Sequence, residues 1–123
     1  AGVMATAMPE TGVDIYMGTG GAPEGVLAAA ALRCIGGNIQ GRLLFRNDDE
    51  RGRAAKVGVE DLNRKYAITD LASGDVIFAA TGVTDGNMLQ GVRRTAKYLS
   101  TESVAMRART GTVRWIRMQH PIK

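Results

Sequence analysis

The stretch Asp14-Ile15-Tyr16-Met17-Gly18-Thr19-Gly20-Gly21-Ala22-Pro23-Glu24-Gly25-Val26-Leu27 constrains this chain more than any other. Val13 to Met17 is a short β-rich run that stops at glycines. Pro23 then stands where a helix tolerates proline, at its first position, because that amide would have no intrahelical acceptor anyway. The pattern predicts strand, glycine loop and helix, with the helix start facing the loop. Gly20 and Gly21 can take backbone angles closed to other residues, and they leave main-chain amides uncovered at the positive end of the helix. Such a cradle suits an anion.

Glu24 complicates that picture, because a carboxylate in the first turn repels a phosphate held on the same amides. Two uses of Glu24 are open. It complements the helix dipole, a contribution of about 0.3–1 kcal/mol, or it shares a divalent cation with the phosphate, which reverses the local charge. One carboxylate does not make a metal site by itself.

Tyr16-Met17-Gly18-Thr19-Gly20-Gly21-Ala22-Pro23-Glu24-Gly25-Val26, followed by Gly36-Gly37 and Ile39-Gln40-Gly41-Arg42-Leu43, resembles the class II (GlpX-type) fructose-1,6-bisphosphatases. Two later strings resemble the same family in the same order. They are Gly74-Asp75-Val76-Ile77-Phe78-Ala79-Ala80-Thr81-Gly82-Val83-Thr84-Asp85-Gly86 and Val104-Ala105-Met106-Arg107-Ala108-Arg109-Thr110-Gly111-Thr112-Val113-Arg114, so the similarity covers essentially all 123 residues.

The resemblance implies an α/β fold, a mixed β-sheet sandwiched by helices, as the C-terminal part of a lithium-sensitive sugar-phosphatase-like fold. It implies metal-dependent hydrolysis of the 1-phosphate of fructose 1,6-bisphosphate, and possible action on sedoheptulose 1,7-bisphosphate, with Mn2+ or Mg2+ as cofactor. By the same resemblance Glu24 matches a metal-ligating glutamate and Gly21 a substrate-contacting glycine, with Gly20 beside it in the substrate loop. The catalytic machinery and the other metal carboxylates belong to an N-terminal half that these residues do not include. Residues 1–123 are therefore expected to be a C-terminal domain, without a catalytic residue of its own and inactive alone. A cytoplasmic homo-oligomer is expected of the whole protein.

Composition agrees with one ordinary α/β core: 45% of residues are apolar and 23% charged, and no apolar run approaches the roughly twenty residues of a membrane span. The first residues, Ala1 to Pro9, are apolar but lack the basic region of a signal peptide and an initiating methionine, which reads as a cut chain. Cys34 is the single cysteine. It excludes an internal disulfide, suits a reducing compartment, and is expected to be buried packing, since no His or Lys stands near it to stabilise a thiolate. His120, the one histidine, is expected at a surface or interface, without an acid partner for a triad.

In order along the chain, Ala1 to Met8 predicts a helix or strand ended by Pro9. The helix from Pro23 to Ile35 is apolar on almost every side, Arg33 excepted, which predicts burial between layers and a stop at Gly36-Gly37. Ile39 to Phe45 alternates and predicts a second strand on the same sheet, giving a strand-helix-strand crossover. Asp48 is expected to cap a helix over Glu50 to Val57, with its acidic neighbours solvated. Glu60 to Tyr66 is expected to add a helical turn, and Thr69 to cap another at Asp70 to Ser73. Val76 to Ala80, a continuous apolar run, predicts a central strand covered on both faces. Asp85-Gly86 reads as turn chemistry ahead of any metal role.

The last third changes sign. Val92 to Lys123 holds eight basic residues and one acidic one, Glu102, for a net +7, against −3 for the remainder. Arg94 to Leu99 and Ser103 to Arg109 predict adjacent strands, with Arg107 and Arg109 on one face. After the turn at Thr110-Gly111-Thr112 the segment is open between strand and helix, the spacing of Val113, Ile116 and His120 leaning to helix. Besides the phosphatase, two other functions are open: a dinucleotide-binding unit, which Gly18-x-Gly20 imitates while Pro23 and Glu24 oppose it, and a basic module for nucleic acid or protein. Few aromatics and no nucleic-acid motif make a solvated face, or contact with an acidic surface of the N-terminal half or of another subunit, the better use of the basic residues, and neither a nucleic-acid nor a membrane partner is expected.

Overall fold

The computed structural model describes residues 2–123. Helix α1 (Gly2–Ala5) is followed by a 3-10 turn at Pro9–Thr11, a long irregular loop, and helix α2 (Ala22–Ile35). Strand β1 (Gln40–Arg42), helix α3 (Asp48–Lys56), strand β2 (Lys65–Ala67) and helix α4 (Ile68–Leu71) form the middle of the chain. Strands β3 (Ile77–Thr81), β4 (Arg93–Arg94), β5 (Tyr98–Arg107) and β6 (Val113–Pro121) make the main sheet.

Strand β5 is the centre of that sheet. It pairs on one side with β3 and β4 and on the other with β6, whose nine partners run from Tyr98↔Pro121 to Met106↔Val113. Every strand pairing among the described residues is antiparallel. Helix α2 lies against one face, where Ala31 and Cys34 join Met4, Val104 and Met106 in the core, with Phe78, Ala80 and Val113 packed around them. The opposite face carries Ile77, Ile116 and Met118, all exposed. The α/β class holds, but the sheet is antiparallel where a mixed one was expected, and its helix cover is on one face.

Helix α2 follows its punctuation closely. Gly21 is its N-cap and Pro23 sits in the first turn. Gly36 ends it in the left-handed region at φ 81°, returning its N–H to the Leu32 carbonyl. Burial departs from expectation: Ala29, Ala31, Leu32 and Cys34 are buried, whereas Val26 and Leu27 in the first half are exposed.

Three expectations about strands fail for one reason, that a strand exists by pairing and its partner is not a local property. Val13 to Met17 is irregular backbone with no strand neighbour among the described residues, and Ile15 and Met17 are 74% and 85% exposed. β1 spans just three residues and pairs with β2 in a separate two-stranded sheet. Among the described residues no strand-helix-strand crossover forms, and the dinucleotide-binding reading loses its frame. β3 is an edge strand paired to β5 alone, and its exposure alternates, with Ile77 71% exposed.

Smaller corrections follow from side-chain capping. Helix α3 begins at Asp48 because Asn47 is its cap, accepting from the Glu50 N–H at 2.9 Å. The segment from Glu60 to Tyr66 turns and then enters β2 in place of a helical turn. Thr69 lies inside α4, and it is Asp70 that closes the turn, accepting from the Ala67 N–H at 2.8 Å. The expected strand from Arg94 to Leu99 does not form: β4 ends at Arg94, Thr95 Oγ1 accepts from the Lys97 and Tyr98 N–H groups in a turn, and Tyr98 and Leu99 open β5, the same strand that takes in Ser103 to Arg107 and stops before Arg109. After Gly111 (φ 64°) the chain is strand, not helix. Among the described residues no helix is long and apolar enough to cross a membrane.

Candidate substrate loop and metal ligand

The entry to α2 is bare. Gly21 caps it with no side chain, in extended backbone at φ −67° and ψ 147°, and its carbonyl accepts the first helical bond from Gly25 N–H at 3.1 Å. The earlier amides of a helix have no intrahelical acceptor and stay free for a ligand. Gly18, Thr19, Gly20 and Gly21 are all exposed, and a methyl group placed on Gly20 would meet nothing within 4 Å.

Glu24 turns back over this entry. A methyl group on Gly21 would overlap Glu24 Oε2 and lie 3.5 Å from Oε1, so the carboxylate occupies the space that a side chain at position 21 would fill. Among the described residues Glu24 makes no ion pair and no side-chain hydrogen bond. The structure therefore brings together the three residues singled out in the sequence, Gly20, Gly21 and Glu24. The donor set fits a divalent cation as one ligand of a larger site: a hard oxygen donor suits Mg2+ or Mn2+, and no group of three or more His, Cys, Asp or Glu among the described residues could hold an ion unaided.

Glu10, Asp14, Asp49 and Glu60 are likewise without an ion pair or side-chain hydrogen bond among the described residues, so what sets Glu24 apart is its place over Gly21, and several other acids are engaged. In the triplet before α3, Asp48 pairs with Arg51, and Glu50 takes two bonds from the Arg46 side chain and one from its amide. The Arg46 guanidinium holds the Glu50 carboxyl below its ordinary range. Asp85 clamps its own loop, accepting from Gly91 N–H at 2.8 Å and from Arg93 at 2.7 Å, and Arg93 first and that amide second lower its pKa. It is turn chemistry, as its sequence context indicates.

Asp75 is the residue that sequence reasoning passed over. Placed just before β3, it accepts from Arg107 Nε at 2.8 Å and from Arg109 N–H at 3.0 Å, which ties the start of β3 to the end of β5. The shared face of Arg107 and Arg109 was the available signal; their acid partner lies more than thirty residues away in sequence. Cys34 is buried, its thiol pKa pushed up by desolvation, with Sγ 3.7 Å from the Val76 carbonyl. His120 is exposed and sits 3.3 Å from Thr101 Oγ1.

The fold and this loop define an α/β domain with an uncovered helix entry and one unengaged carboxylate folded across it. Comparison with known proteins carries the assignment further. The family model described as bacterial fructose-1,6-bisphosphatase, glpX-encoded, matches residues 1–120, and the chain belongs to that family. A class 2 fructose-1,6-bisphosphatase of Haemophilus influenzae is 38% identical over 134 residues, covering 98% of this chain and 40% of the relative. A D-fructose 1,6-bisphosphatase class 2/sedoheptulose 1,7-bisphosphatase of Synechococcus sp. (strain JA-3-3Ab) is also 38% identical, covering 89% of this chain and 35% of the relative. The chain thus spans well under half the length of the curated relatives it matches.

Proposed function

We propose that this chain is the C-terminal domain of a longer sugar-bisphosphate phosphatase that removes the 1-phosphate of fructose 1,6-bisphosphate, with sedoheptulose 1,7-bisphosphate as a second substrate. The observation that carries the reading is the Glu24 carboxylate lying unengaged across Gly21 at an open helix start. Family membership and the names of the relatives supply the substrate class. Glu24 would hold one face of an Mn2+ or Mg2+ ion, and Gly20 and Gly21 would let the sugar phosphate approach the main-chain amides. When bound, the ion polarises phosphate oxygens and neutralises charge that develops on the leaving oxygen. Glu24 would present its carboxylate beside the loop, and the glycines would keep out side chains that could displace the ester. The remaining ligands and the group that activates water belong to the part of the protein outside this chain, arranged as in the lithium-sensitive sugar phosphatases. A cytoplasmic homo-oligomer is the assembly this reading carries.

The test is phosphate release from fructose 1,6-bisphosphate by the full-length protein, with Mn2+ or Mg2+ titrated. Turnover should require the metal, and Glu24→Gln should lower it about a hundredfold or more, the loss of one charged ligand being equivalent to several kcal/mol of transition-state stabilisation. The 123-residue chain alone should release none. Normal metal-dependent turnover by the Glu24→Gln protein would overturn the assignment.

A further inference from the structure

The substrate loop is exposed along its whole length, and the Tyr16 ring carries its side-chain contact with the domain beyond it, at Gly2. Among the described residues, positions 14 to 20 make no hydrogen bond and belong to no helix or strand. The Tyr16 ring lies across them. A methyl group on Gly18 would sit 3.4 Å from ring carbon Cε1 and 3.5 Å from the hydroxyl, while one on Gly2 would sit 2.9 Å from Cε2 on the other edge. The ring, 56% exposed, lies between two glycines, one on each edge; at Gly2 its position depends on the missing side chain, whereas a methyl on Gly18 would meet it at ordinary contact distance. Gly2 opens α1, and α1 is seated on the body of the domain: Met4 and Ala5 are buried, and Ala7 Cβ lies 2.8 Å from where a methyl on Gly37 would be. Contacts therefore run from the core through α1 and the Tyr16 ring to Gly18.

We propose that Tyr16 is a positioning residue for the substrate loop, its ring bridging Gly2 and Gly18 and setting the height of the amides of Gly18 to Gly20, ahead of the Gly21 cap that faces Glu24. This rests on the reading above that the loop seats a sugar phosphate. Tyr16 acts on the loop and not on α2, which carries Glu24 and is capped and packed independently of it. The ring does the holding, because the hydroxyl makes no hydrogen bond among the described residues. Loosening the loop should therefore weaken substrate seating while the metal requirement stays where it was.

The experiment uses the full-length protein with fructose 1,6-bisphosphate and Mn2+, measuring kcat, KM and the half-saturating metal concentration separately. A displacement of about 1 Å in a seating group can cost up to a hundredfold, and a released loop still visits its seated position. Tyr16→Ala should raise KM about tenfold, with kcat and metal half-saturation changing less than about twofold. Tyr16→Phe should retain normal KM. Gly2→Ala, which crowds the ring from its far edge, should shift KM in the same direction, and it decides the matter by the same criteria if Tyr16→Ala does not fold. A normal KM in Tyr16→Ala, a rise in KM matched by a rise in metal half-saturation, or a Phe variant as impaired as the Ala one each overturns the proposal. If Glu24→Gln is inactive and Tyr16→Ala is normal, the Tyr16 role alone fails; if Glu24→Gln is fully active, the reading beneath fails and takes this one with it.

Discussion

Gly20 and Gly21 are adjacent and identical in type, and the structure gives them different consequences. At Gly21 the backbone angles, φ −67° and ψ 147°, are open to any L-residue, so a substitution there costs nothing in backbone strain. What it costs is space, because the added methyl overlaps Glu24 Oε2. At Gly20 the same methyl meets nothing within 4 Å. In the full-length protein Gly21→Ala should raise the half-saturating Mn2+ or Mg2+ concentration about tenfold, the scale on which neighbours that orient a metal ligand act. Gly20→Ala should leave it within about twofold. Metal titrations of the two variants check this, and equal effects would mean that the bare position at 21 is not matched to Glu24. The pair also shows what a sequence can and cannot disclose. The motif locates both glycines, and conformational freedom is the natural reason to read from them; at Gly21 the operative property is the absent Cβ.

At the scale of elements, what is written locally was legible and what depends on a distant partner was not. Helix α2 was readable because Pro23 and Gly36 mark its ends by the backbone chemistry of those two residues. Val13 to Met17 has strand composition, yet no described segment pairs with it. β6 was ambiguous by spacing, and what decides it is the Gly111 turn that folds it back on β5 in register over nine residues. Asp75 belongs to the same lesson, since it joins the start of β3 to the far end of β5 through Arg107 and Arg109. The Arg107 side chain first, and the Arg109 amide after it, hold the Asp75 carboxyl below its ordinary range against the opposing effect of desolvation. Its folded pKa therefore lies under the unfolded value of about 3.9. The stability it contributes is fully present above that value and is lost as pH falls through the folded one. Asp75→Asn should lower the urea midpoint at pH 7, and the wild-type and variant midpoints should converge as acid protonates Asp75 in the wild type. A gap that stays constant into acid would show that packing and not charge makes the junction.

For the whole molecule the charge distribution decides between an enzyme fragment and a basic binding module. The segment from Val92 to Lys123 carries +7, which invites a nucleic-acid partner until the pairings are placed. Arg93 is paired with Asp85, Arg107 and Arg109 with Asp75, and Arg117 with Glu102. Half of the eight basic side chains are thus engaged within the domain. Among the described residues Arg94, Lys97, Arg114 and Lys123 form no ion pair, and they are spread over β4, the β4–β5 turn, β6 and the chain end. A stacking platform is missing as well. The two exposed aromatics of the main sheet are Tyr98 and Trp115, and Trp115 stands opposite Val104, six residues along β5 from Tyr98. At about 3.3 Å per residue that separates them by roughly 20 Å, too far to stack successive bases. Non-specific binding of nucleic acid rests on many phosphate contacts that release counterions, and its affinity falls steeply with salt. With only four scattered unpaired cations in this basic third and no stacking pair on the main sheet among the described residues, the protein should not retain short DNA or RNA in a gel-shift assay at about 0.15 M salt. Retention there, with an affinity that falls by orders of magnitude as salt is raised, would show that the basic third forms a continuous phosphate track and would restore the binding-module reading against the phosphatase.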